Sequence, residues 1–76
     1  MNKLINIVLA DDEVLFRKGI SFILQREPNF NIVYEANDGQ ELIDYLKSAE
    51  SLPDIVITDL KMPNLNGVET TKILHA

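Results

Sequence analysis

Between Leu4 and Ala10 the chain reads LINIVLA, an apolar run broken only by Asn6 and closed by Asp11 and Asp12. The run is too short to span a membrane, and it lacks the alternation that would leave one face to water. It suits a strand covered on both sides, the environment of a parallel sheet. Parallel strands need long crossovers, usually helices. A chain that begins this way therefore has to alternate buried strands with one-sided helical periods.

The remaining sequence keeps that alternation. From Glu13 to about Glu27, apolar or small residues recur at Leu15, Phe16, Gly19, Ile20, Ile23 and Leu24, and Pro28-Asn29 stops the period. That is one stripe of a helix. Phe30 to Ala36 (FNIVYEA) reads as a second strand, and its polar Asn31 and Glu35 suit a sheet edge. Asn37-Asp38-Gly39 is a turn. Asp38 with Glu41 approximates a capping box for a helix carrying Leu42, Ile43, Leu46 and Ala49, which ends before Leu52-Pro53. Ile55-Val56-Ile57 is a third buried strand. Asn66, with Glu69 three residues on, marks a third helix start, expected to run to Ala76. The order is β-α-β-α-β-α, which implies a parallel sheet with right-handed crossovers and leaves strand order open.

With 76 residues there is room for one small domain, marginal in stability, and the lack of cysteine removes any disulfide. That lack fits a reducing compartment. An apolar fraction of 46% is too high for a disordered chain, and a net charge of −5 argues against this segment gripping nucleic acid by itself. The opening Met-Asn-Lys-Leu-Ile-Asn leads into no signal-peptide core or membrane span. A soluble cytoplasmic protein is the expectation.

All strands of a parallel sheet end on one side. Asp11 and Asp12 follow the first strand and Asp59 ends the third, so three carboxylates meet at the carboxyl edge if those strands are neighbours. Three such groups repel unless a cation lies among them. Oxygen donors suit Mg²⁺, which needs few protein ligands. A carboxylate beside Mg²⁺ can attack a phosphoryl group and form an acyl phosphate, and Asp59 is the candidate. The plainer readings are that Asp12 caps the first helix and that Asp59 is a solvated loop residue or caps the next turn.

IVLADDEVLFRKGI, EANDGQEL and PDIVITDLKMPNLNGVE together resemble the receiver domain of two-component response regulators, from about Asn6 to the last residue. The resemblance rests on the acidic pair after the first strand, the Asp-Gly before the second helix and the Pro-Asp leading into the third strand. It also rests on the pattern formed by Asp59, Met62, Pro63 and Gly67. The stretch Phe16-Arg17-Lys18-Gly19 is most similar to the LuxR-type transcriptional regulators.

The resemblance implies a flavodoxin-like parallel sheet of order 2-1-3, truncated to βαβαβα, with residues 1–76 as the N-terminal part of a receiver domain. It makes Asp59 the phosphoacceptor, served by a histidine kinase or phosphorelay protein, with no turnover of its own. It makes Asp11, Asp12 and Asp59 ligands of Mg²⁺, joined by the backbone carbonyl of Lys61, and Gly67 the glycine of the loop toward the third helix. A whole receiver has five strands and five helices. The family's Ser/Thr at the end of the fourth strand, Lys after the fifth and switch aromatic on the fifth have no counterpart here. The expectation is therefore slow, short-lived phosphorylation without a switch. The third strand is also expected to have an open outer edge, pairing with a second copy in the order 2-1-3-3′-1′-2′ or exchanging segments as a swapped oligomer.

Other residues carry less. His75 reads as a bystander, and Tyr34 and Tyr45 as packing or surface residues. Phe16, Phe22 and Phe30 read as core, and Arg17, Lys18 and Arg26 as a solvated helix face. Two other functions compete with the phosphoacceptor: a dimerisation or interaction module without phosphoryl chemistry, and a phosphatase with a strand-end Asp nucleophile. The latter needs a second Asp two residues on, where this chain has Lys61.

Overall fold

A computed structural model describes residues 3–58 and the backbone of residues 72–75. Its elements are β1 (Ile5–Ala10), α1 (Val14–Leu24), β2 (Phe30–Ala36), α2 (Gly39–Ser48), β3 (Ile55–Thr58) and β4 (Lys72–His75). The strands form one sheet in the order β2-β1-β3-β4, with all neighbouring pairs parallel. β1 and β3 are therefore neighbours, and β2 is an edge strand, as its Asn31 and Glu35 suggest.

Successive crossovers from β1 to β2 and from β2 to β3 run in opposite directions along the sheet. With one handedness, that places their helices on opposite faces. Val8, Ala10, Ala36 and Val56 pack with Leu42 and Leu46 of α2, and Tyr34, Tyr45 and Leu52 close the rim of this core. On the other face Leu9 and Ile57 line a shallow apolar groove against Phe16 and Ile20 of α1. Covering on both faces accounts for the unbroken apolar run of β1: Ile7, Val8, Leu9 and Ala10 are all buried. A bulge lies between Ile7 and Val8, so that Ile7 faces Ile32 while Val8 faces Tyr34. Tyr34 and Tyr45 stack on each other, with ring centroids 4.4 Å apart and planes 9° apart, which makes them packing residues.

The face of α1 turned to the sheet differs from the expected stripe. Leu15 is 88% exposed, and Phe16, Phe22 and Ile23 are exposed too, whereas Arg17 and Ser21 are buried. The phenylalanine core therefore fails for Phe16 and Phe22, and the solvated-face reading fails for Arg17. Residues 17, 20, 21 and 24 form one helical face; Arg17 on it meets polar partners at the sheet edge, and Ser21 accepts from Gln25 at the end of its own helix.

Lys72–His75 were expected to be helical and are a strand. Ile55, Val56, Ile57 and Thr58 pair in register with Lys72, Ile73, Leu74 and His75. An uncovered β3 would leave a row of N–H and C=O groups without partners, and any nearby segment able to extend can satisfy them. The open β3 edge, on which self-association was expected, is thus covered by the chain's own residues. The helix start at Asn66 lies outside the described residues.

Candidate functional site

The carboxyl ends of β2, β1 and β3 are level. Ala10 pairs with Ala36 of β2 on one side and Thr58 of β3 on the other. The chain leaves β1 through Asp11, whose N–H donates to the Ala36 carbonyl at 3.1 Å. Asp11 is 5% exposed. Its Oδ1 accepts the N–H of Glu13 at 2.7 Å, closing a tight turn that starts α1. Asp12, at the tip of this turn, is exposed.

The plainer reading of Asp12 as a helix cap is not what forms. Glu13 occupies the cap position in extended conformation with no side-chain cap bond, and Asp11 supplies the local bond instead. The Asp12 carboxylate has no hydrogen bond among the described residues. At α2 the expected cap does form: Asp38 accepts the Glu41 N–H at 2.8 Å. Glu41 reaches back to the N–H of Asn37, also at 2.8 Å, one residue beyond the usual capping box.

Arg17 ties the edge together. Its Nη1 donates to the Asp11 carbonyl at 2.5 Å and to the Ala36 carbonyl at 3.4 Å. Its Nε donates to Glu35 Oε1 at 3.3 Å. A guanidinium suits this task because its fork presents several donors in one plane. A charge at 7% exposure must be paired, and Glu35 does that. Sequence reasoning missed this residue. The signal available was a pair of polar outliers, Glu35 in an apolar strand and Arg17 one turn before Ile20 and Ser21.

Of the sequence-predicted site residues, Asp11 and Asp12 stand side by side at the carboxyl edge. Asp59 and Lys61 lie outside the described residues. Asp59 directly follows Thr58, the partner of Ala10, and Asp11 directly follows Ala10. Among the described residues no cluster of three acidic, histidine or cysteine side chains is poised for a metal. The donors that are described still fit Mg²⁺. They are hard carboxylate oxygens, the Asp12 group is free to turn, and Asp11 has a second oxygen beyond the one bonded to Glu13. Among the described residues of this edge, one buried cation, Arg17, stands with three carboxylates, Asp11, Asp12 and Glu35.

The response regulator receiver domain model matches residues 7–76. The chain is 40% identical over 70 residues to the transcriptional regulatory protein DegU of Brevibacillus brevis, covering 92% of this chain and 29% of that protein. It is 35% identical over 71 residues to a protein-glutamate methylesterase/protein-glutamine glutaminase of Nitrosospira multiformis, covering 93% of this chain and 19% of that one. Among solved structures it resembles one of the P1 domain of CheA3 in complex with CheY6 from R. sphaeroides. There the TM-score is 0.78 at 26% identity, over 97% of this chain and 64% of that one. The chain spans less than a third of the length of these two curated relatives. No described helix is long and apolar enough to cross a membrane.

Proposed function

The chain belongs to the response regulator receiver domain family, and on that premise we propose that it accepts a phosphoryl group on Asp59, with Mg²⁺ held by Asp11, Asp12, Asp59 and the backbone carbonyl of Lys61. The carrying observation is the pairing of Ala10 with Thr58, each followed in sequence by an aspartate. Bound there, Mg²⁺ supplies charge neutralisation for the incoming phosphoryl oxygens. The protein's own part is positional. The Asp11 turn is fixed by the Glu13 N–H and the Ala36 carbonyl, and Asp12 stays free to reach a ligand. An Asp59 carboxylate oxygen bonds to phosphorus as the donor's bond to phosphorus breaks, leaving an acyl phosphate on the protein. The donor is a histidine kinase or phosphorelay protein. The CheA3–CheY6 complex among the similar structures supports this partner class.

The chain is an acceptor without turnover in this reading, and its place is the cytoplasm, where such donors act. The parent is a transcriptional regulator, a proposal supported by the DegU relative, although methylesterases also carry the domain. In the 76 residues on their own, the sequence holds no counterpart of the Ser/Thr that the family carries at the end of its fourth strand or of the Lys after its fifth. Transfer is therefore slow and the acyl phosphate short-lived.

The test is Mg²⁺-dependent incorporation from a small acyl phosphate donor, read by intact mass. A weak signal in wild type that vanishes in Asp59→Asn and in chelator supports the proposal. No signal under any donor concentration refutes it, and stoichiometric, lasting incorporation refutes the impairment alone. The rival reading, a dimerisation or interaction module without phosphoryl chemistry, loses the open β3 edge as a seam for a second copy, since β4 covers it.

A further inference from the structure

We propose that Arg17 is a positioning residue for the acidic turn, holding Asp11 and Asp12 where a divalent cation can be bound. The proposal rests on the Mg²⁺ reading above for its purpose and on three contacts for its geometry. One guanidinium bonds the carbonyl of Asp11, the carbonyl of Ala36 and the carboxylate of Glu35. These belong to the end of β1, the end of β2 and the β2 side chain beside it. The same two backbone segments are joined by the Asp11 N–H to Ala36. Arg17 therefore clamps the turn from its carbonyl side while the amide side is held by the sheet. Without it, the turn from Asp11 to Glu13 keeps its internal Glu13 N–H to Asp11 bond and the single sheet bond from the Asp11 N–H to Ala36.

Two roles for a buried cation beside a cation site predict opposite signs. If Arg17 acts through its charge, it repels a divalent ion, and removing it tightens binding. If it acts by position, removing it loosens binding, as outer partners of metal ligands do, by about 10-fold to 100-fold. Glu35 pairs with the Arg17 charge and both carbonyl dipoles point at it, so little of that charge is left to repel an ion. Position is the larger effect.

The experiment uses the 76-residue chain, with MgCl₂ titrated at constant ionic strength and backbone amide shifts of residues 11–13 followed by NMR. Arg17→Met is expected to weaken Mg²⁺ binding about 10-fold or more. Arg17→Lys, which keeps the charge but loses the fork, falls between Arg17→Met and wild type. Glu35→Gln is a milder variant that tests the same clamp should Arg17→Met unfold. Lys18→Met, which removes an exposed charge one residue along, leaves the affinity unchanged. Unchanged or tighter binding in Arg17→Met overturns the inference.

A second readout needs no metal. In chelator, hydrogen exchange at the Asp11 and Glu13 amides is expected to accelerate about tenfold in Arg17→Met and measurably in Glu35→Gln, while β1 and β3 amides hold. Should wild type show no Mg²⁺ response, the metal reading fails and this exchange decides the clamp. Equal exchange at both amides overturns it.

Discussion

At the scale of single residues, Asp38 and Arg17 are polar groups at the two helix starts, and only one was legible. Asp38 was visible because its bond partner is local: the Glu41 N–H lies three residues on, and a capping pattern needs no knowledge of the fold. Asp38→Ala leaves that N–H without its cap and frees Glu41 from a fixed turn. The expected loss is about 1 kcal/mol, read as a lower urea midpoint with unchanged slope. Gly at the same position is expected to lose only a few tenths, because its backbone adopts the cap conformation readily. Arg17 was misread because its partners, Glu35 and Ala36, come from a strand about twenty residues away. Periodicity reports which residues share a face, and it does not report that the opposing surface is polar. Asp11 lay between these cases. Its place after the strand was legible, whereas its bond to Glu13, in place of a cap from Asp12, depends on the turn the backbone takes.

At the scale of elements, the two helices attach to the sheet differently. α2 inserts Leu42, fully buried, and Leu46 into the core around Val8 and Val56. α1 presents a polar clamp and leaves Leu15 and Phe22 outside. Leu42→Ala is therefore expected to cost about 2–5 kcal/mol, a large part of the stability of so small a chain, whereas Leu15→Ala stays within about 0.5 kcal/mol. Thermal unfolding of the pair checks this, and equal effects would mean that α1 is packed as deeply as α2. The third element pair gives a sharper test. Successive N–H groups of a strand point to opposite neighbours. With β4 in place, all of Ile55 to Thr58 have a neighbour on the side they face. Hydrogen exchange should find all four amides slowed, and a pattern in which every second amide exchanges freely would show β3 at an open edge. The strands β1, β2 and β3 were readable from local runs. The strand at Lys72–His75 was not, because its pattern alone fits a helix, and pairing with a strand over a dozen residues upstream decides the matter.

At the scale of the whole molecule, the charge is −5 and the described carboxyl edge carries more carboxylates than cations. Asp11 and Asp12 are neighbours in the unfolded chain as well, but folding adds Glu35 of β2 to them on that edge, so part of the folding free energy is spent against repulsion that the unfolded chain avoids. A cation that binds only the folded form returns that energy by mass action. At ten times its dissociation constant, Mg²⁺ is expected to add about 1.4 kcal/mol. For a chain of this size that corresponds to a rise on the order of 5–10 °C in Tm. Added NaCl screens the same net charge without occupying a site, so the comparison must be made at equal ionic strength. Asp12→Asn separates the two effects. In chelator it relieves repulsion and is expected to raise Tm slightly, since Asp12 is exposed and forms no hydrogen bond among the described residues. In Mg²⁺ it removes a ligand, and the metal-dependent rise is expected to shrink to that given by NaCl. The two substitution effects thus have opposite signs in one protein, which general screening does not produce. An equal Mg²⁺ increment in wild type and Asp12→Asn would place the cation elsewhere and remove the acidic turn from the proposed site.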